Sequence, residues 1–173
     1  MDVILLKCSK PTEFEWRILE HLIAYQFTSY AIPALHELLH RHPKICKSKT
    51  TDKIRQVVIE GNTIAITIRA SDHVIIPHIP FAKLLHKYLP FPLYRVVVVN
   101  EMVSDVMNGW TVFAKHILLA DENIRPGDEV LVVDEQDKLL AIGRSILGHR
   151  EMLTAVYGPA VIIREKVVNN AKV

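Results

Sequence analysis

The stretch Ile124-Arg125-Pro126-Gly127-Asp128-Glu129-Val130-Leu131-Val132-Val133 changes character in its middle. Pro126 and Gly127 are turn residues, one with φ fixed and one with φ free, and Asp128 can bond to nearby backbone. From Val130 the residues are apolar and mostly β-branched, as in a buried strand. Reading onward, Asp134-Glu135-Gln136-Asp137 is an acidic turn and residues 139–145 are a second strand. Reading back, residues 111–117 predict a strand and 103–107 a short helix ending at Asn108-Gly109, where glycine suits a left-handed cap. Arg95-Val96-Val97-Val98-Val99 predicts a buried strand. Tyr157-Gly158-Pro159 turns into a last strand over 160–164. Five or six short strands in about 75 residues, with one early helix, predict a small β-barrel.

The part before it has mixed periodicity. Residues 13–22 have helical spacing, with Phe14, Ile18 and Leu22 on the expected inner face and Trp16 and Leu19 beside them. Thr12 and Glu15 stand at the offset of a capping box. A second helix is expected after Pro33, from Ala34 to His40, ended by Pro43. Residues 40–55, with six Lys/Arg and one Asp, have the composition of a loop. Residues 53–59 and 63–69 then read as a hairpin about Glu60-Gly61-Asn62, residues 74–76 as a strand after Asp72-His73, and residues 80–88 as a short helix. Pro90-Phe91-Pro92 marks a boundary, giving an α+β domain over 1–92 and a barrel over 93–173.

Totals exclude several classes. The 173 residues carry a net charge of +2, which by itself names no partner. Residues 41–93, however, hold nine Lys/Arg against three Asp/Glu, while both flanks are slightly acidic. A basic middle suits a polyanion such as nucleic-acid phosphate. Cys8 and Cys46 form no CxxC pair, and two cysteines do not make a secreted scaffold, so two reduced thiols are expected. The N-terminus has no secretory pattern and no apolar run has membrane-spanning length, so a soluble, cytoplasmic protein is expected. No GxGxxG, P-loop or GxSxG occurs, and no cofactor is expected.

The segments Arg95–Val99, Asn108-Gly109, Val112–Ile117, Ile124–Val133, Leu140-Ala141-Ile142-Gly143-Arg144 and Tyr157-Gly158-Pro159-Ala160-Val161 resemble, in order, the pattern of a PUA domain. The preceding Lys53–Val57, Ile68-Arg69-Ala70-Ser71-Asp72, Ala82–His86 and Leu89–Val98 resemble the pre-PUA region of archaeal tRNA-guanine transglycosylase, the archaeosine enzyme. That resemblance covers roughly residues 53–166, with residues 1–50 matching only loosely. It implies an α+β pre-PUA domain followed by a PUA-type pseudo-barrel, an archaeal source, and an RNA partner, tRNA first. The catalytic barrel of that family needs about 250 residues, so catalysis is not expected here. A separate catalytic RNA-modification chain is the alternative partner.

By the same resemblance the RNA face comprises residues 107–110, 113–116 and 157–164. Candidate contacts are Asn108, Gly109, Trp110, Phe113, Lys115, His116, Arg144 and Arg164. Gly109 lets backbone approach a phosphate, Lys115 and Arg144 supply charge, and Trp110 or Phe113 can stack a base. For Phe113 a core position is the preferred reading. Lys47, Lys49, Lys53 and Arg55 would add phosphate contacts that weaken with salt.

His36-Glu37-Leu38-Leu39-His40 spells HExxH on a predicted helix, which places His36 and His40 as weaker metal candidates and Glu37 as a base. No third ligand follows at the extended spacing, and Pro43 cuts the helix short. A zinc hydrolase is therefore the third reading.

Overall fold

The computed structural model describes residues 5–168. In chain order the elements are β1 (Leu6–Ser9), α1 (Glu13–Phe27), α2 (Ile32–Leu38), β2 (Lys44–Ser48), β3 (Ile54–Ile59), β4 (Thr63–Ile68), β5 (Ile75–Pro77) and α3 (Ile79–Tyr88). They continue with β6 (Arg95–Val98), α4 (Val103–Met107), β7 (Val112–Phe113), β8 (Ile117–Ala120), β9 (Glu129–Val133), β10 (Leu139–Ser145), α5 (His149–Thr154) and β11 (Pro159–Lys166). The chain divides into two compact units between Tyr88 and Leu89. No helix among the described residues is long and apolar enough to cross a membrane.

The first unit is an antiparallel sheet in the order β1-β2-β3-β4-β5, with α1 and α3 packed against it and α2 packed on those two helices. The capping box forms: the Glu15 N–H donates to Thr12 Oγ1, and the Thr12 N–H donates to the Glu15 carboxylate at 2.9 Å. The buried face of α1 is Trp16, Leu19, Ile23 and Phe27, not the expected Phe14–Ile18–Leu22 stripe, and Phe14 is 73% exposed. Both stripes satisfy helical spacing. The helix runs five residues beyond Leu22, and Ile23 and Phe27 extend the Trp16–Leu19 line rather than the other. Gln26 then fixes the helix to the sheet edge. Its amide donates to the Ile75 carbonyl at 2.8 Å and accepts from the Ile75 N–H at 2.7 Å.

Two expectations fail in this unit. The supposed basic loop contains β2, a strand between β1 and β3 with Ile45 and Cys46 buried. Its lysines masked a strand whose buried residues, with Ser48, are Ile45 and Cys46. Cys8 and Cys46 are not free thiols but a disulfide. The β1–β2 register sets them directly opposite each other, which their separation of 38 residues could not announce.

The second unit is a six-stranded sheet in the order β7-β11-β10-β9-β6-β8, parallel only between β6 and β9. The predicted strand over 111–117 is broken by a 3-10 turn at Ala114–His116. β7 pairs with β11 on one edge and β8 with β6 on the other, so residues 112–120 bridge both edges and nearly close the barrel. The core gathers Val96, Val98, Val106, Val112, Val130, Val132, Leu140, Met152 and Val161. α5, which hydrophobic spacing did not reveal, covers it with Met152.

Arg95 opens β6, a strand buried along its whole length, and is only 2% exposed. Its guanidinium donates to Asp137 at 2.7 Å and to the Leu93 carbonyl at 3.2 Å, which makes a buried charge tolerable. The acidic turns have structural duties as well. Asp121 accepts from the backbone of Tyr94 and Asn123, and Asp134 from that of Gln136 and Lys138. Burial, with Asp128 and Asp121 nearby, pushes the Tyr94 hydroxyl up to about 12.

Gly143 is required by space. A Cβ there would lie 2.6 Å from the Ile162 carbonyl oxygen and 2.6 Å from Val161 Cγ1, where the β10–β11 register shifts. Gly143→Ala is expected to destabilise the protein by about 1–3 kcal/mol through overpacking. Denaturant midpoints check this, and an unchanged midpoint would contradict it.

Candidate nucleic-acid interface

α4 ends in a Schellman motif. The Gly109 N–H donates to the Val106 carbonyl at 2.9 Å and the Trp110 N–H to the Asp105 carbonyl at 3.0 Å, with Gly109 at φ +86°. A positive φ there favours glycine. The chain leaves the cap with Trp110 pointing away from the core, 61% exposed. Three residues on, Phe113 is 44% exposed, so the preferred core reading was wrong. The preceding Val112 takes the inward position of that two-residue strand, and alternation turns Phe113 outward. Phe113 lies opposite Pro159 on β11, next to the turn that carries exposed Tyr157.

Trp110 and Phe113 line one cleft of about 650 Å³ with Met102, Asp105, Gly109, Thr111, Lys115 and His116. Two exposed aromatic rings offer π-faces, and the Lys115 ammonium offers charge. Asp105 and Thr111, which the sequence did not single out, offer acceptors for a base amine or ribose hydroxyl. The signal that could have found Asp105 is its place one helical turn before the glycine cap. Asn108 caps α4 beside this cleft.

The other expected contacts separate from it. Arg144 lies on β10, exposed, with Nη2 3.7 Å from where a Gly127 side chain would start. Arg164 on β11 donates from Nε to both oxygens of buried Glu129, at 3.1 and 2.8 Å. In the first unit Lys47 pairs with Glu15 at 3.0 Å and Asp52 at 3.3 Å, which raises its pKa and commits its charge. Burial opposes the Glu15 carboxylate, yet hydrogen bonds from Thr12 and Lys47 hold its pKa below the ordinary value. Lys49 and Lys53 are exposed. Arg55 is half-buried, with Nη1 enclosed and lacking a hydrogen-bond partner.

The HExxH arrangement does not assemble. α2 ends at Leu38, so His40 sits in a 3-10 turn rather than one helical turn from His36. His36 contacts Glu20, and Glu37 accepts from Lys87 at 2.7 Å and Tyr88 at 2.6 Å. The Lys87 bond, then that of Tyr88, lowers the Glu37 pKa and uses the carboxylate a base would need. Among the described residues no group of three or more His, Cys, Asp or Glu is placed to hold a metal.

The Arg69 and Asp72 of the Ile68–Asp72 segment hold each other. Two hydrogen bonds of 2.8 and 2.6 Å close the turn between β4 and β5 and draw the Asp72 carboxyl down to about 2.

Residues 94–167 match the PUA domain, and residues 17–92 match the patch-forming domain C2 of tRNA-guanine transglycosylase. The tRNA-guanine(15) transglycosylase of Methanocaldococcus jannaschii is 42% identical over 143 residues, covering 83% of this chain and 21% of that protein. That of Pyrococcus abyssi is 47% identical over 113 residues, 65% of this chain and 19% of that protein. The chain thus spans about a fifth of the length of these curated relatives. In fold it is similar to a hypothetical protein of Pyrococcus horikoshii (TM-score 0.67, 22% identity, 95% of this chain and 96% of that one). It is also similar to a conserved PUA domain protein of Thermoplasma acidophilum (TM-score 0.62, 17% identity, 95% and 96%). The two domain matches support RNA binding.

Proposed function

This chain is a PUA-domain protein, with a transglycosylase-type C2 domain in front of the PUA domain, and we propose that it binds tRNA without carrying out a reaction itself. The observation that carries this reading is the cleft of Trp110, Phe113, Lys115 and His116 on the PUA unit. Exposed rings beside a cation are what a splayed, unstacked base and its phosphate require. Exposed Lys49 and Lys53 add charge on the C2 unit without reading sequence.

The test is binding of the purified protein to total tRNA, an unrelated RNA duplex and a DNA duplex across a salt series. tRNA is expected to bind most tightly and to retain affinity at moderate salt. Lys115→Ala is expected to reduce the slope of log affinity against log salt by about 1. Equal binding of all three probes would overturn the tRNA reading.

A second reading is supported by the match of residues 17–92 to the patch-forming domain C2 of tRNA-guanine transglycosylase. In it the protein is an accessory subunit that lends tRNA grip to a separate catalytic chain. Co-elution with a purified transglycosylase catalytic chain would support this, and separate elution would count against it.

A further inference from the structure

We infer that the PUA unit has a second RNA contact, a phosphate-binding cleft formed by Arg125, His149 and Arg150 at the far end of β8 from the aromatic cleft. The inference rests on the RNA-binding reading above but on different residues. The cleft has a volume of about 510 Å³ and is lined by Glu122, Ile124, Arg125, His149 and Arg150.

Two backbone segments build it, and they are tied together. The His149 N–H donates to the Ile124 carbonyl at 3.1 Å. Each arginine is the next residue after one member of that bonded pair, so the bond fixes the spacing of the two arginines' backbones. The Arg125 N–H is held by Asp128 at 2.8 Å, which anchors the turn. His149 Nδ1 bonds the Ala120 carbonyl at 2.9 Å, leaving Nε2 for another partner. Both arginines are exposed. Among the described residues no acidic side chain forms an ion pair with either, unlike Arg95 and Arg164. Arg144 adds a third guanidinium beside the same turn, over Gly127. Guanidinium groups bind phosphate oxygens through two parallel N–H donors, so the set suits a backbone phosphate.

Position links the two clefts. Lys115 and His116 stand just before β8, and Ala120, bound by His149, ends it. Four strand residues span roughly 13 Å, so the stacking cleft and the arginine cleft are close enough for one RNA strand to reach both. Glu122 lines the second cleft and opposes a phosphate there. That makes the proposal testable in both directions.

Total tRNA binding is measured over a salt series with Arg125→Ala, Arg150→Ala and Glu122→Gln, each variant first shown to melt like the wild type. Each arginine variant is expected to lower the salt slope by about 1 and affinity on the order of fivefold. Glu122→Gln is expected to tighten binding. If Trp110→Ala weakens binding while both arginine variants leave slope and affinity unchanged, the second contact is wrong and the aromatic cleft stands. If the wild type itself does not bind tRNA, both readings fall.

Discussion

Trp110→Ala is expected to weaken tRNA binding by roughly 5- to 150-fold, because stacking one base on an aromatic ring is worth about 1–3 kcal/mol. The ring is 61% exposed and lines the cleft, so its removal uncovers no core. The melting temperature should therefore stay close to that of the wild type. Stacking releases no counterions, so the salt slope should not change. Lys115→Ala should do the reverse, lowering the slope with a smaller loss of affinity. This contrast separates a stacked base from general charge attraction. Phe113→Ala is a less clean probe, since Phe113 belongs to β7 and faces Pro159 across the barrel seam. Affinity within twofold of wild type for Trp110→Ala would remove the aromatic cleft as the RNA surface.

The second large effect concerns stability. The Cys8–Cys46 bridge closes a loop over a sequence separation of 38. Restricting the unfolded chain to that extent stabilises the native state by about 2–4 kcal/mol. The bridge also fastens β1, an edge strand of four residues, to β2. A reducing agent, or Cys8→Ser, is expected to lower the denaturant midpoint by the corresponding amount. Cys8 is the position to change, because Cys46 is buried and its replacement would add a packing cost of its own. The wild type under reducing conditions should match Cys8→Ser. An unchanged midpoint on reduction would show that the bridge contributes nothing to stability.

What the sequence determined by itself is local. Chain order, turn chemistry and short-range capping fix the Thr12–Glu15 capping box, the left-handed cap at Gly109 and the strands over Glu129–Val133 and Leu139–Ser145. The PUA pattern was legible for the same reason: its glycines and turn residues answer to backbone constraints a few residues long. The cleft residues Gly109, Trp110, Phe113, Lys115 and His116 came from that pattern, and the fold does bring them together.

The tertiary structure decided everything that depends on a partner distant in the chain. Strand register set Cys8 opposite Cys46, and separation along the chain carries no register. Sheet neighbours turned the lysine-rich segment into β2. Closure of the barrel broke the strand at residues 114–116 and left Phe113 exposed, since a single segment had to serve both edges. Pairing with Glu15 committed Lys47, and pairing with Glu129 committed Arg164, so formal charge overstated how many cations remained for a ligand. The arginine cleft appeared only when Ile124 and His149 met across the fold. A residue type states what a side chain can bond, but only packing determines whether an internal partner has already taken that bond.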